Sequence, residues 1–299
     1  MKPAYLIILL VMNFFWAGVY SAYKIIGDGL PAGGVVTLRF GLAGLFLLMA
    51  WPWLPGRAPH GRDLVNTCWM GVVLVVLGQR LQVYGNQLGT AGNSSVLMAV
   101  EPLITSLAAA MFLREHIGPR RLVGFALGMC GVALLNGIWR KDFQWTGLVP
   151  SLIFISSFVC EAAGSVIGKP IVARSSVMKM LAIALLVGTA VNLLIDGPAT
   201  LRAAIMLRPL AWCLLLGLAI ICTAIGYTVW FVVIRECPVN VAALTIFAQS
   251  IFGVAIAALW VGEKLHWGQL SGSLAIVAGL VLGLSRQIER PVHAADTGT

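Results

Sequence analysis

The sequence contains EPLITSLAAAMFLREHIGPRRLVG at residues 101–124 and repeats its pattern as QSIFGVAIAALWVGEKLHWGQLSG at residues 249–272. Each copy has an apolar run, a short charged turn centred on a glutamate, and a second run that contains glycine. A shift of 148 residues superposes the pairs Glu115/Glu263, Leu122/Leu270, Gly124/Gly272, Gly131/Gly279 and Leu134/Leu282. Apolar runs of this length, joined by a short polar turn, are typical of helical hairpins in membranes. The pattern therefore predicts a tandem repeat of membrane hairpins.

The repeat extends well beyond these hairpins. The same shift carries Gly78 onto Gly226, and a shift of 145 residues lays residues 16–24 over residues 161–169. Each repeat therefore spans about half of the chain. We predict a first five-helix repeat at residues 1–138, a linker at 139–146, a second five-helix repeat at 147–285, and a disordered cytoplasmic tail at 286–299.

The composition identifies the broad class of protein. Hydrophobic residues make up 60% of the chain and charged residues 10%, whereas soluble domains have roughly 45–50% and 25%. Most side chains therefore cannot face water, which predicts an integral membrane protein in a lipid bilayer. The net charge of +9 comes from basic residues in short loops, so it indicates orientation and argues against a nucleic-acid partner. The six cysteines lack the spacing of a metal site, and we predict no metal and no cofactor.

The apolar runs predict the number of helices, because a membrane-spanning helix needs about 20 apolar residues. The chain has ten such runs, at residues 4–26, 33–52, 64–83, 90–113, 119–138, 147–170, 176–195, 210–234, 239–261 and 267–285. The predicted fold is an all-α membrane protein with five helices in each repeat. Because five is odd, the second repeat enters the membrane from the opposite side. We therefore predict two inverted repeats with a substrate site at their interface, a construction that favours alternating access.

The basic residues indicate the orientation of the chain. With a cytoplasmic N-terminus, 12 lysines and arginines lie at the inner ends of the predicted helices and 6 at the outer ends. Cytoplasmic loops carry an excess of these residues. Both termini are therefore predicted to be cytoplasmic.

These features resemble the drug/metabolite transporter superfamily, in particular its ten-helix EamA-type exporters. The resemblance is carried by the hairpin pattern that occurs twice, by the Trp16 to Lys24 pattern of the first helix, and by Arg39 in the second. Within the superfamily, the sequence is similar to the bacterial aromatic amino acid exporters of the YddG type. The resemblance covers residues 4–285 and implies an exporter of the bacterial inner membrane, with two bundles of inverted topology around a central cavity.

Two acidic residues, Glu101 and Glu161, lie deep in predicted membrane helices. A charged side chain at this depth costs at least about 2.5–3.5 kcal/mol on insertion scales, so each should face a cavity or a partner. Helical spacing places Met98 and Thr105 on the face of Glu101, and Gly164 on the face of Glu161. Each carboxylate either serves the substrate or forms a structural hydrogen bond with a neighbouring helix. The sequence leaves both alternatives open.

Aromatic and polar residues lie at corresponding positions of the other helices. The predicted substrate-binding residues are Asn13, Trp16, Tyr20, Gln79, Gln82, Met98, Glu101, Glu161, Tyr227, Trp230 and Gln249. Together they predict an apolar cage with few hydrogen-bonding groups, suited to an aromatic or lipophilic solute. Taken singly, each aromatic residue has packing or the interfacial belt as its alternative role.

Three further charged residues have predicted roles. Arg39 either binds a substrate carboxylate or extends along the helix to the membrane surface. For Glu115 and Glu263, we prefer the interpretation of a helix-end charge that fixes the hairpin.

The function that these observations favour is secondary export of small amphipathic metabolites, above all aromatic amino acids, with lipophilic cations or drugs as further solutes. A multidrug exporter or another metabolite exporter of the same superfamily is the alternative. An intramembrane enzyme is less well supported, because the sequence has no His-Glu-x-x-His or Gly-x-Ser-x-Gly motif. A membrane interaction protein gains nothing from an inverted repeat. We therefore predict a monomeric transporter of a small-molecule substrate and no enzymatic activity.

Overall fold

The computed structural model describes residues 1–27, 29–88, 97–141, 148–256 and 267–285, and within these ranges every regular element is helical. The α-helices are, in chain order, α1 (Pro3–Ala17), α2 (Val19–Gly27), α3 (Ala32–Met49), α4 (Arg62–Gly71), α5 (Arg80–Leu88), α6 (Glu101–Leu113), α7 (Pro119–Asn136), α8 (Leu148–Val172), α9 (Val177–Ile205), α10 (Pro209–Gly217), α11 (Gly226–Glu236), α12 (Val239–Ala243), α13 (Ala248–Ile256) and α14 (Trp267–Leu284). The predicted tail and most of the predicted linker lie outside the described residues.

Seven described segments are long and apolar enough to cross a membrane: Pro3–Tyr23, Ala32–Met49, Arg62–Leu88, Val149–Val172, Val177–Ile205, Pro209–Glu236 and Trp267–Leu284. Two shorter apolar helices are Met98–Leu113 and Val239–Gly253. The prediction of an all-helical membrane protein is confirmed. The total of ten spans stays a prediction, because the predicted fourth and ninth runs extend into residues that are not described.

The predicted end of the seventh helix at residue 195, before Gly197 and Pro198, coincides with a kink in α9. Asp196 has non-helical backbone angles (φ −140°, ψ 20°), and a second helical segment of α9 continues from there to Ile205. Proline is tolerated in the first turn of a helix, because its missing N–H would have no helical partner there. The helix therefore kinks at Asp196 and restarts.

Two helices change their winding at matching places in the two halves. A π-helical stretch, Val72–Gln79, joins α4 to α5, and a second one, Leu218–Ile225, joins α10 to α11. Stretches of this kind are rare in proteins and often mark functional sites. Gln79 ends the first stretch, and Tyr227, its counterpart at the shift of 148 residues, closely follows the second.

The two halves share one buried core. Val35 and Phe40 of α3 belong to the same hydrophobic cluster as Leu181 and Leu185 of α9 and Phe231 of α11. Residues of both halves are therefore buried in the same core. The cavity described below lies between elements of both halves.

The helices α7 and α14 pack through glycines. A Cβ atom at Gly124 would lie 2.8 Å from the carbonyl oxygen of Gly279, and one at Gly131 would lie 2.7 Å from that of Gly272. Any side chain at these positions would collide with the backbone, so the close approach of the two helices requires glycine. The contacts pair increasing residue numbers of α7 with decreasing residue numbers of α14, so the two helices run antiparallel.

A second contact occurs in two copies with the halves exchanged. A Cβ atom at Gly78 would lie 2.8 Å from the Cβ atom of Cys160, and one at Gly226 would lie 2.9 Å from Nε1 of Trp16. The shifts of the sequence repeat carry Gly78 onto Gly226 and Trp16 onto Glu161, the neighbour of Cys160. Each of the two equivalent glycines thus packs against the other half, at positions that are adjacent under the sequence shifts.

Candidate functional site

A cavity with about 710 Å³ of space, part of it continuous with solvent, lies between the two halves. Its lining residues are Trp16, Val19, Arg39, Leu74, Gln79, Gln82, Glu101, Thr105, Glu161, Gly164, Ser165, Tyr227, Trp230, Phe231, Ile246 and Gln249. They belong to α1, α2, α3, α5, α6, α8, α11 and α13, to the first π-helical stretch, and to the 3₁₀ stretch Leu244–Phe247 that precedes α13.

The structure brings most of the predicted site residues together. Nine of the twelve line this cavity: Trp16, Arg39, Gln79, Gln82, Glu101, Glu161, Tyr227, Trp230 and Gln249. Met98 packs instead with Phe154 and Phe158 in a separate buried cluster. Asn13 is fully buried and accepts a hydrogen bond of 2.8 Å from Nε2 of Gln249, so it lies behind the cavity wall. The side chain of Tyr20 lies outside the described part of the chain.

Three aromatic residues form one wall of the cavity. The ring centroid of Trp16 lies 6.3 Å from that of Tyr227 and 6.5 Å from that of Trp230. The indole N–H of Trp16 donates to the carbonyl of Cys222 at 2.8 Å, and that of Trp230 to the hydroxyl of Ser165 at 3.0 Å. Because their polar atoms are already paired, these side chains offer ring surface to a ligand.

Glu161 is held from two sides. Nε2 of Gln79 and the hydroxyl of Tyr227 both donate to its carboxylate, the latter at 3.2 Å, and Nε2 of Gln79 also lies 3.3 Å from the Tyr227 hydroxyl. Gln79 and Tyr227 occupy equivalent positions of the two repeats. The carboxylate therefore joins the two halves at a point where their equivalent residues meet.

Arg39 is a buried cation, with 3% of its surface exposed. Its Nε donates to the hydroxyl of Thr223 at 2.8 Å, and its Nη1 donates to the hydroxyl of Tyr23. The guanidinium carbon also lies 4.9 Å from the ring centroid of Phe40 and 5.5 Å from that of Tyr23. The side chain is thus fixed within the bundle. The predicted alternative in which it extends to the membrane surface is wrong.

Glu101 differs from Glu161 in its surroundings. It begins α6, directly after a short 3₁₀ stretch, and its side chain lines the cavity. Among the described residues, no side chain or backbone group donates a hydrogen bond to its carboxylate, and no cation lies within 4.0 Å. Within the described ranges, the carboxylate therefore has no partner.

The predicted site lacks Ser165, which lines the cavity, and Thr223, which contacts Arg39. Ser165 lies one helical turn after Glu161 on the same helix, so helical spacing could have identified it. Thr223 fixes Arg39 from a position 184 residues away. No pattern within one helix indicates such a contact.

Glu115 joins three segments at one end of the bundle. Its carboxylate accepts hydrogen bonds from the backbone N–H groups of Val239 at 2.8 Å and Asn240 at 3.0 Å, and it pairs with Lys169 at 2.6 Å. It therefore caps the start of α12, where N–H groups lack helical partners. The preferred prediction of a helix-end role holds for Glu115, although its partners lie outside its own hairpin. Glu263 lies outside the described residues.

Comparison with known proteins gives one family match. The model of the EamA-like transporter family matches the chain twice, over residues 3–137 and 149–285. Over 297 residues the chain is 25% identical to a probable terminal-alkyne amino-acid exporter of Streptantibioticus cattleyicolor, covering 99% of this chain and 98% of that protein.

Two Escherichia coli proteins are also similar. One is a probable amino-acid metabolite efflux pump, 25% identical over 205 residues, with 65% of this chain and 67% of that protein covered. The other is the uncharacterized inner membrane transporter YedA, 26% identical over 298 residues, with coverage of 96% and 93%. Among solved structures, one crystal structure matches with a TM-score of 0.74 at 17% identity and covers 94% of this chain and 96% of its own. At that identity the likeness concerns the fold alone.

Proposed function

This chain belongs to the EamA-like transporter family of the drug/metabolite transporter superfamily, and we propose that it exports amino acids, above all aromatic ones, across the bacterial inner membrane. The relatives support this proposal, since two of them are named as a probable amino-acid exporter and a probable amino-acid metabolite efflux pump. The inner membrane location is supported by the similarity to YedA, which is described as an inner membrane transporter.

One observation carries the proposal. A single cavity has an aromatic wall, formed by Trp16, Tyr227 and Trp230, and a carboxylate, that of Glu101, which has no partner in the part of the chain that the structure describes. An aromatic side chain gains from burial against such rings. An ammonium group supplies the positive charge and the donors that a carboxylate in a membrane requires. Aromatic amino acids carry both groups on one small molecule.

We further propose that the two halves are inverted repeats that work by alternating access, with both termini cytoplasmic. The antiparallel packing of α7 and α14, which are equivalent helices of the two repeats, supports the inversion. A cavity between such repeats is the usual place of a substrate site in secondary transporters. Because one chain supplies both halves of the cavity wall, we propose that the monomer is the working unit.

The experiment is solute flux in liposomes that contain the purified protein. We expect saturable movement of labelled tryptophan or phenylalanine that is inhibited by other aromatic amino acids and not by alanine or aspartate. Trp16→Ala and Trp230→Ala should reduce it at least several-fold. Trp69→Ala serves as the matched control, because Trp69 is 62% exposed and does not line the cavity.

Two results would contradict the proposal. Flux no greater than in protein-free liposomes would exclude aromatic amino acids as substrates. Normal flux in both cavity variants would exclude the aromatic wall as the binding surface.

A further inference from the structure

The lining has one basic and two acidic side chains, and these decide which part of a substrate the site recognises: Arg39, Glu101 and Glu161. Each of them lies within the helical bundle, so an uncompensated charge among them is costly. The question is therefore which charges already have a partner inside the protein.

Arg39 and Glu161 are joined by a chain of hydrogen bonds. Arg39 donates to the hydroxyl of Tyr23, which donates to Oε1 of Gln79 at 3.4 Å. Nε2 of Gln79 in turn donates to Glu161, which also accepts from Tyr227. Each donor group in this series of hydrogen bonds has an acceptor. The positive and the negative charge thus compensate each other through neutral bridging groups.

Arg39 makes two further kinds of contact. Its Nε is bound to Thr223, and the face of its guanidinium lies beside the rings of Phe40 and Tyr23. With 3% of its surface exposed, it is part of the wall and offers little to a ligand. A substrate carboxylate would have to compete with Glu161, which already compensates the charge of Arg39.

Glu101 is not part of this series of hydrogen bonds. Among the described lining residues, the acidic side chains therefore outnumber the basic ones by one. Gln249, which also lines the cavity, donates to Asn13 and not to Glu101. A substrate ammonium group would supply the positive charge and the N–H donors that Glu101 lacks among the described residues.

We propose that the cavity recognises its substrate by the ammonium group, through Glu101, and leaves the substrate carboxylate without a cationic partner. This inference rests on the proposed function and narrows it to a substrate class: aromatic primary amines, among which the amino acids are only one kind. Amino acids blocked at the carboxylate, and amines that lack it, bind at least as well as the parent amino acid. N-acylated amino acids, which lack the ammonium charge, bind poorly.

The test is equilibrium binding to the detergent-purified full chain, measured by calorimetry with four ligands: tryptophan, tryptophan methyl ester, tryptamine and N-acetyltryptophan. We expect the ester and the amine to bind as tightly as tryptophan or more tightly. N-acetyltryptophan should bind about 10-fold or more weakly, the discrimination expected when a charge-assisted hydrogen bond is lost.

Variants assign this preference to Glu101. Glu101→Gln should weaken the binding of ester and amine by about 10-fold or more and remove their advantage over the N-acetyl compound. Glu101→Asp keeps the charge and should keep the order of the four ligands. Glu236→Gln is the control, because Glu236 is an exposed carboxylate paired with Lys2 outside the cavity.

The outcomes separate this inference from the proposed function. Binding of the amines without flux of any amino acid would overturn the export proposal and leave the ammonium site standing. Equal binding of tryptophan and N-acetyltryptophan, or much weaker binding of the ester than of tryptophan, would overturn the ammonium site. Failure of all four ligands to bind would overturn both.

Discussion

Removing the Glu115 carboxylate should destabilise the end of the bundle at which α6, α8 and α12 meet. The side chain of Glu115 is 10% exposed and that of its partner Lys169 is 22% exposed. Lys169 also donates to the carbonyl of Cys237 at 2.9 Å. Cys237 lies two residues before the start of α12 at Val239. The substitution therefore leaves a half-buried ammonium with the Cys237 carbonyl as its remaining acceptor, and it leaves the N–H groups of Val239 and Asn240 without theirs.

The magnitude follows from these contacts. Hydrogen bonds to charged groups contribute roughly 1.5–3 kcal/mol each, and loss of one partner of a buried ion pair costs about 3–5 kcal/mol. These terms overlap, so we expect Glu115→Ala to lower the free energy of unfolding by about 3–5 kcal/mol. Glu115→Gln keeps an acceptor oxygen of the same shape and should cost roughly half as much.

The assay is thermal unfolding of the purified protein in detergent, followed by fluorescence of a thiol-reactive dye. For Glu115→Ala we expect a melting temperature lower by roughly 5 °C or more. The control is Glu236→Gln, whose partner Lys2 is 69% exposed, since surface ion pairs contribute little to stability. Equal shifts for the two variants, or no shift for Glu115→Ala, would show that this carboxylate does not hold the helix ends together.

Three other predictions follow from the packing, the buried cation and the orientation. Gly124→Ala should destabilise the protein by about 1–3 kcal/mol, because its Cβ would lie 2.8 Å from a carbonyl oxygen of α14; Gly217→Ala, with nothing within 4 Å, should be neutral or slightly stabilising in the same thermal assay. Arg39→Lys should lower both the melting temperature and the flux, because one ammonium cannot reproduce the two directed bonds and the ring contacts of the guanidinium; an unchanged variant would refute the assigned geometry. A cysteine replacing Lys141 should react with an impermeant reagent added outside intact cells, whereas one replacing Arg57 should not, and the reverse pattern would invert the topology.

The sequence predicted the parts of this molecule that depend on one helix at a time. Apolar runs of membrane length gave the helices, and the cost of a charge in a bilayer identified Glu101 and Glu161 as cavity or partner residues. What the sequence could not give depends on pairs of distant residues. Glu115 was predicted as a helix-end charge, but its partner Lys169 lies 54 residues away in another element. The side chain of Asn13 looked suited to the cavity, yet its bond to Gln249 places it behind the wall.

The glycine contacts between α7 and α14 have a consequence for how the chain tolerates being divided. Exchanging the two repeats turns the pair Gly124 and Gly279 into the pair Gly272 and Gly131, which is the other observed contact. A surface with this property is self-complementary, like the interface of a two-fold symmetric homodimer. Two fragments produced by a cut between the halves would therefore each present a surface that fits the other fragment. Equivalent glycines line both surfaces, so each fragment would also fit a second copy of itself that has the opposite orientation in the membrane. Such homodimers would compete with reassembly of the native pair of fragments.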